Sequence, residues 1–190
     1  GIIIKIADII ESDLDVIDAK KSFITPGFID SHTHPIFFSN RSKEFHQRSM
    51  GYSYQQIAQD GGGILNSINS LRNCSEEELF KYCLKHINYF LKYGTTTIEA
   101  KSGYGLTLKD ELKSLRVIKR LNKESSLDLI PTFMGAHAFP PEYLEKNDKY
   151  VDLICNEMIP KVADRKLAVF CDVFCEQGYF TVDQSEKILK

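Results

Sequence analysis

Two histidines one residue apart, His32 and His34 in the stretch Thr25 to Pro35 (TPGFIDSHTHP), are the residues whose type and spacing best suit metal chemistry. The apolar run Phe28-Ile29 leads into them, which predicts that they sit at the end of a buried strand. In a strand, residues i and i+2 point to the same face, and Asp30 lies two residues earlier on that face. Two imidazoles aimed at one point could hold a divalent ion. Taken alone, the same pair also describes two ordinary polar residues where a strand meets a loop. Three further sets of chemistry-bearing residues follow apolar runs: Glu99 to Leu106 (EAKSGYGL), Gly135-Ala136-His137, and Cys175-Glu176.

The elements that must position these sets alternate. Ser75 with Glu78 forms a capping box ahead of Leu79, Cys83, Ile87 and Phe90 at near-helical spacing, with Gly94 as the stop. Thr95 to Ala100 reads as a strand by its β-branched content. Leu108, Leu112, Leu115, Ile118 and Leu121 mark a second amphipathic helix, capped by Thr107. A strand at Leu127 to Phe133, a helix-rich region from Pro141 to Asp164, a strand at Ala168 to Cys175 and a helix after Thr181 follow. Strands apolar enough to be buried on both faces, alternating with helices, predict an α/β fold with a parallel sheet. All four chemical sets then fall at C-terminal strand ends, where barrels and open α/β sheets place their sites. That coincidence favours the metal-site reading of the histidine pair.

Residues 1–24 have no helical period. Ile2 to Ile6, Asp15 to Asp18 and Phe23-Ile24 read as short strands with a turn at Ala19-Lys20-Lys21, so this piece forms a small β unit beside a main domain at 25–190. The long segment Ile36 to Asn73, with helical turns near Ser53 to Gln59 and Ile64 to Leu71, reads as functional, since such connections are rarely idle. Its Gly61-Gly62-Gly63 allows a hinge or close approach and lacks the pattern of a nucleotide loop.

At 190 residues, 43% hydrophobic and 26% charged with net charge −2, the chain suits one soluble domain and suggests neither a nucleic-acid nor a membrane partner. No run approaches the ~20 apolar residues of a membrane span, and no signal peptide is visible. The five cysteines are odd in number and form no CxxC pair, which points to reduced thiols in the cytoplasm. A start on Gly1 inside a strand-like run and an end at Lys190 inside a helix-like one read as a fragment of a longer protein.

Five segments carry a resemblance: PGFIDSHTH at 26–34, FHQRSMGYSYQQIAQDGGGI from Phe45, EAKSGYGL at 99–106, MGAHAFPPEY at 134–143 and FCDVFCEQGYF at 170–180. Together they resemble the amidohydrolase superfamily of metal-dependent hydrolases and, within it, the imidazolonepropionase family. The resemblance implies a (β/α)8 TIM-like barrel, of which residues 25–190 supply about the first half, and a small β-sandwich that includes 1–24. It implies hydrolysis of 4-imidazolone-5-propanoate to N-formimidoyl-L-glutamate in histidine degradation, with one metal ion, Zn or Fe.

By the same resemblance His32 and His34 are metal ligands, and Arg41, Tyr104 and His137 bind substrate. Arg41 would grip the propanoate, Tyr104 would hydrogen-bond the substrate, and His137 would meet the imidazolone ring or its oxyanion. Each also has a plainer reading: a solvated arginine, a tyrosine packed in a glycine turn, a structural histidine. Glu99, Lys101 and Glu176 are expected to orient ligands or pair with one another; His46 and His86 are assigned no role. A carboxylated Lys101 bridging two metals is disfavoured by the resemblance to a one-metal site.

The family's third histidine ligand, its proton-shuttling glutamate and its aspartate ligand would lie beyond Lys190, so the 190 residues alone are expected to be inactive. The alternatives are another cyclic amidohydrolase or deaminase of the superfamily, or a metal-free, non-catalytic relative. The oligomer, a homodimer included, is left open.

Overall fold

The computed structural model describes residues 2–53, 56–57 and 62–190. Four strands, β1 (Phe28–Thr33), β2 (Thr95–Lys101), β3 (Asp128–Ala136) and β4 (Phe170–Val173), form one curled sheet in the order β1-β2-β3-β4. Every pairing is parallel, with Ile29 opposite Thr97, Ile98 opposite Leu129 and Thr132 opposite Phe170.

Parallel neighbours need long crossovers, and helices supply them. Between β1 and β2 run α1 (Ser42–Ser49), α2 (Ile64–Asn73) and α3 (Glu76–Lys92); between β2 and β3 runs α4 (Leu108–Glu124). A 3₁₀ turn at Pro141–Tyr143, α5 (Asn147–Leu153), a π segment at Ile154–Met158 and α6 (Ile159–Asp164) join β3 to β4, and α7 (Val182–Leu189) follows. The wide π turn directly precedes Pro160, which has no N–H to donate and so leaves a carbonyl of the preceding turn without its α-helical partner.

The helix starts follow side-chain chemistry. Ser75 and Glu78 make the expected reciprocal capping box on α3, Thr181 and Gln184 make another on α7, and the Thr107 hydroxyl accepts the Asp110 N–H to open α4. The strand bounds differ from the sequence reading: β3 runs on to Ala136, and β4 is confined to four residues.

The core lies between one face of the sheet and the helices, where Ile98, Ala100, Leu129 and Phe133 meet Leu115, Ile118 and Leu121. Expectation and structure part on the other face. Glu99, Lys101, Thr132 and Asp172 stand there and hydrogen-bond to one another, so β2 is apolar on one side only. Residues 2–27 carry neither strand nor helix, although the expected turn is present, with positive φ at Lys20 and Lys21. Ile2, Ile3, Ile4 and Phe23 of this stretch are exposed. Strands need partners to satisfy their backbone, and no described residue pairs with this stretch. The helical turn expected near Ser53 to Gln59 falls largely outside the described residues, as does Gly61 of the triple glycine.

Candidate active site

Three strand ends bring four rings together. His32, at the end of β1, lies with its ring centroid 5.5 Å from that of His34. His34 stacks on His137 at 4.7 Å and 17°. Tyr104, after β2, is 5.8 Å from His34 and 5.2 Å from His137, which follows β3. Burial, then the neighbouring His137 and His32, push the His34 imidazole down to about 4, so it is neutral at ordinary pH with a lone pair to give. Its Nδ1 is buried and has no hydrogen-bond partner. An orphaned imidazole nitrogen beside a second imidazole fits a metal-ligand role.

Among the described residues no group of three or more His, Cys, Asp or Glu side chains is gathered to hold a metal. Asp30 does not join them: its carboxylate accepts the His32 N–H at 3.3 Å. The strand end is pinned instead by Thr33, whose hydroxyl donates to the Glu99 carbonyl at 2.5 Å.

Below the rings, buried Lys101 donates to Glu99 at 2.8 Å and to Asp172 at 2.6 Å. The expected Glu99–Lys101 pairing is thus present. Asp172 was absent from the sequence reading, and its signal was a single acid inside the short strand FCDV. Burial works against the charge of Asp172, yet the Lys101 ammonium holds its carboxyl below the usual carboxylate range. Burial likewise opposes the Lys101 charge, while hydrogen bonds to Asp172 and Glu99 raise its pKa. Glu176 stays apart, exposed and accepting the Gln177 N–H.

The loop after β2 is built on Glu111 of α4. This fully buried carboxylate accepts the N–H groups of Gly103, Gly105 and Leu106 at 3.1, 2.9 and 2.8 Å. Gly103 has φ +108°, and a Cβ there would stand 2.8 Å from the Met134 carbonyl oxygen and 2.9 Å from the His137 Cβ. Only glycine fits that approach. Its carbonyl accepts a hydrogen bond from His137 Nδ1 at 2.8 Å, which leaves Nε2 of the neutral ring bare. Burial is the main cause of the lowered His137 pKa. Arg72 of α2 holds the same loop from outside, donating to the Gly105 carbonyl at 2.8 Å.

Arg41, Tyr104 and His34 line one cavity of about 370 Å³, with Phe37, Ser39, Asn40 and Ser67. Arg41 pairs with Glu44 of α1 at 2.6 Å, and the other Glu44 oxygen accepts the Gly63 N–H at 3.0 Å. His137 borders this group by its stack on His34. His86 packs on Tyr82 and Phe37 at 4.5 and 5.3 Å, and His46 is an exposed residue of α1. All five cysteines are free thiols. No helix among the described residues is long and apolar enough to cross a membrane.

These features define a class: a parallel α/β chain that presents an imidazole-rich, metal-compatible site at the C-terminal ends of its strands. No protein-family model matches it. The chain is 48% identical over 179 residues to an imidazolonepropionase of Clostridium tetani, covering 94% of this chain and 43% of that protein. To the imidazolonepropionase of Brevibacillus brevis it is 51% identical over 178 residues, covering 94% of the chain and 42% of the relative. For that of Solibacter usitatus the values are 48% over 187 residues, 97% and 45%. By sequence the chain is a homologue of the imidazolonepropionases, and it spans less than half the length of these curated relatives.

Proposed function

We propose that this chain carries part of the active site of a cytoplasmic hydrolase that opens 4-imidazolone-5-propanoate with water, giving N-formimidoyl-L-glutamate. Water adds to the ring carbonyl, the amide C–N bond breaks, and the leaving nitrogen takes a proton. The observation that carries this reading is the cavity in which His34, Arg41 and Tyr104 meet, read with the identity to imidazolonepropionases. A Zn or Fe ion held by His32 and His34, with further ligands from outside this chain, would polarise the carbonyl and acidify the attacking water.

The chain's own side chains bind and orient. Arg41 presents a planar guanidinium suited to a propanoate carboxylate, and Glu44 aligns it until substrate arrives. Tyr104 offers a phenol hydroxyl whose pKa burial raises, so it stays protonated and can donate. His137 presents its bare Nε2 toward the substrate because Nδ1 is committed to Gly103. Glu99 and Asp172 neutralise Lys101 under the site and keep an unpaired ammonium away from the ion.

The test uses the intact protein that carries this chain. It should contain close to one equivalent of metal and turn over imidazolonepropanoate; His32→Ala should lose both while remaining folded. A metal-free intact protein, or one whose turnover survives His32→Ala, would refute the reading. The isolated 190 residues, with two histidine ligands only, are expected to show no turnover.

A further inference from the structure

Among the described residues, Glu111 is a carboxylate with no cation to balance it among its hydrogen-bond partners. It is wholly buried, and its partners are the N–H groups of Gly103, Gly105 and Leu106 together with the Ser102 hydroxyl. Burying an anion against peptide dipoles alone is costly, and burial raises its pKa accordingly. A helix residue chosen only for packing would be apolar here, since its neighbours Leu112 and Leu115 belong to the core. The loop it holds is also strained: Leu106, which is not glycine, sits at φ +52°, a conformation that other residues adopt only when the surroundings impose it.

What the clamp fixes is the substrate side of the site. Gly103 is tied to Glu111 through its N–H, and its carbonyl, in the next peptide unit, receives the His137 Nδ1–H. Tyr104 lies between the two glycines whose N–H groups Glu111 holds. Ser102, bonded to Glu111, also accepts the Met134 N–H, which ties the arrangement to β3. We propose that Glu111 is a positioning residue: through the backbone of 103–106 it sets the ring of Tyr104 and the tautomer and direction of His137. This rests on the functional reading above, in which those two side chains meet substrate.

The experiment is a double-mutant cycle in the intact, metal-loaded protein, with Glu111→Gln, Tyr104→Phe and the pair, followed by steady-state kinetics on imidazolonepropanoate. Glutamine keeps the shape but turns one acceptor into a donor that faces N–H groups. Glu111→Gln should keep its metal and lose about 10- to 100-fold in kcat/KM, the range for residues that orient a binding group. In the Tyr104→Phe background the same change should cost clearly less, because the two act through one geometry. Equal losses in both backgrounds, or an unchanged kcat/KM, would overturn the proposal and make Glu111 a stability residue only.

Hydrogen exchange on the unsubstituted protein tests the clamp without any variant. The amides of Gly103, Gly105 and Leu106 should be protected, and exchange at open-loop rates overturns the proposal even if Glu111→Gln does not fold. A wild-type protein that holds those amides yet does not hydrolyse the substrate sinks the functional reading, and the role given to Glu111 in catalysis with it. Loss of the proposal alone looks different: active wild type, with no coupling between Glu111 and Tyr104.

Discussion

The loops after β1 and β2 each converge on a buried glutamate of the following helix, but the two acids are matched differently. Among the described residues Glu44 accepts one backbone N–H, from Gly63, and spends its other oxygen on the Arg41 guanidinium. Glu111 has no cation among its hydrogen-bond partners in the described residues and takes three backbone N–H groups instead. On the function proposed above, the first arrangement is an ion pair that a substrate carboxylate would compete for, so the Arg41 side would be adjustable. The second is a set of backbone dipoles within the protein, so on the same proposal the Tyr104 and His137 side would be fixed before substrate arrives. A site with one fixed wall and one adaptable wall can hold a ring in register while its charged tail is captured.

The sharpest way to break this contrast is to delete the two acids. Glu111→Ala orphans three buried N–H groups and should lower the unfolding free energy of the intact protein by about 3 kcal/mol. Glu44→Ala orphans one and frees an arginine that is partly in solvent, so about 1 kcal/mol is expected. Urea denaturation of both variants decides it, and equal losses would mean that the loops are held alike. The glycines extend the comparison. A Cβ at Gly105 would stand 2.6 Å from the Asp110 carbonyl carbon and 2.7 Å from the Glu111 nitrogen, whereas one at Gly51, after α1, would meet nothing within 4 Å. Gly105→Ala should therefore cost about 2 kcal/mol by overpacking against backbone that cannot yield. Gly51→Ala should cost about 1 kcal/mol, from its φ of +90° alone. Thermal melts of the two variants give the ranking.

The comparison also marks what the sequence could disclose. The histidine pair, the caps at Ser75 and Thr107, the helix start after Thr181, and the alternation of strand and helix are local patterns, and local patterns survive in a linear reading. Arg41, Tyr104 and His137 were named through a resemblance, and the structure brings Arg41 and Tyr104 to one cavity and His137 beside it. Glu111 and Asp172 were not named. Each acts on partners that only folding supplies: Glu111 on loop amides 5 to 8 residues upstream of it, Asp172 on a lysine 71 residues away. An acid at the start of α4 reads as an ordinary favourable charge at a helix N-terminus, and nothing in its spacing tells that it turns back on the preceding loop. The strands expected within 1–24 failed for the complementary reason: β-branched content signals a strand but does not supply the partner it must pair with.

On the adjustable wall, Arg41→Lys keeps the charge and loses the fork. The KM for imidazolonepropanoate should rise about tenfold, equivalent to about 1.4 kcal/mol of lost carboxylate recognition, with kcat little changed. Steady-state kinetics on the intact variant measure both. A fall confined to kcat would place Arg41 at the reacting centre and remove it from the propanoate.

The smallest effect, and the most direct on matched versus unmatched acids, is in the acid limb of stability. Asp172 is paired with Lys101, and its folded pKa lies below the ordinary 3.8. It therefore contributes stability that is present above pH 3.8 and is lost as pH falls through the folded value. Glu111 is raised above the ordinary 4.5, with burial the largest cause. Its folded form binds a proton before the unfolded chain does, so in that window acidification adds stability. The two substitutions should bend the curve in opposite directions. The stability gap between wild type and Asp172→Asn should be constant near neutrality and shrink below pH 3.8. It should stay modest, because the Asp172 side chain is 37% exposed and solvent screens the pair. Glu111→Gln should instead remove a gain that the wild type shows on acidification from neutrality towards pH 4.5. Urea unfolding from pH 3 to 7 reads both, and gaps that move with pH in the same direction would show that the cation beside Asp172 and the peptide dipoles around Glu111 hold their acids equivalently.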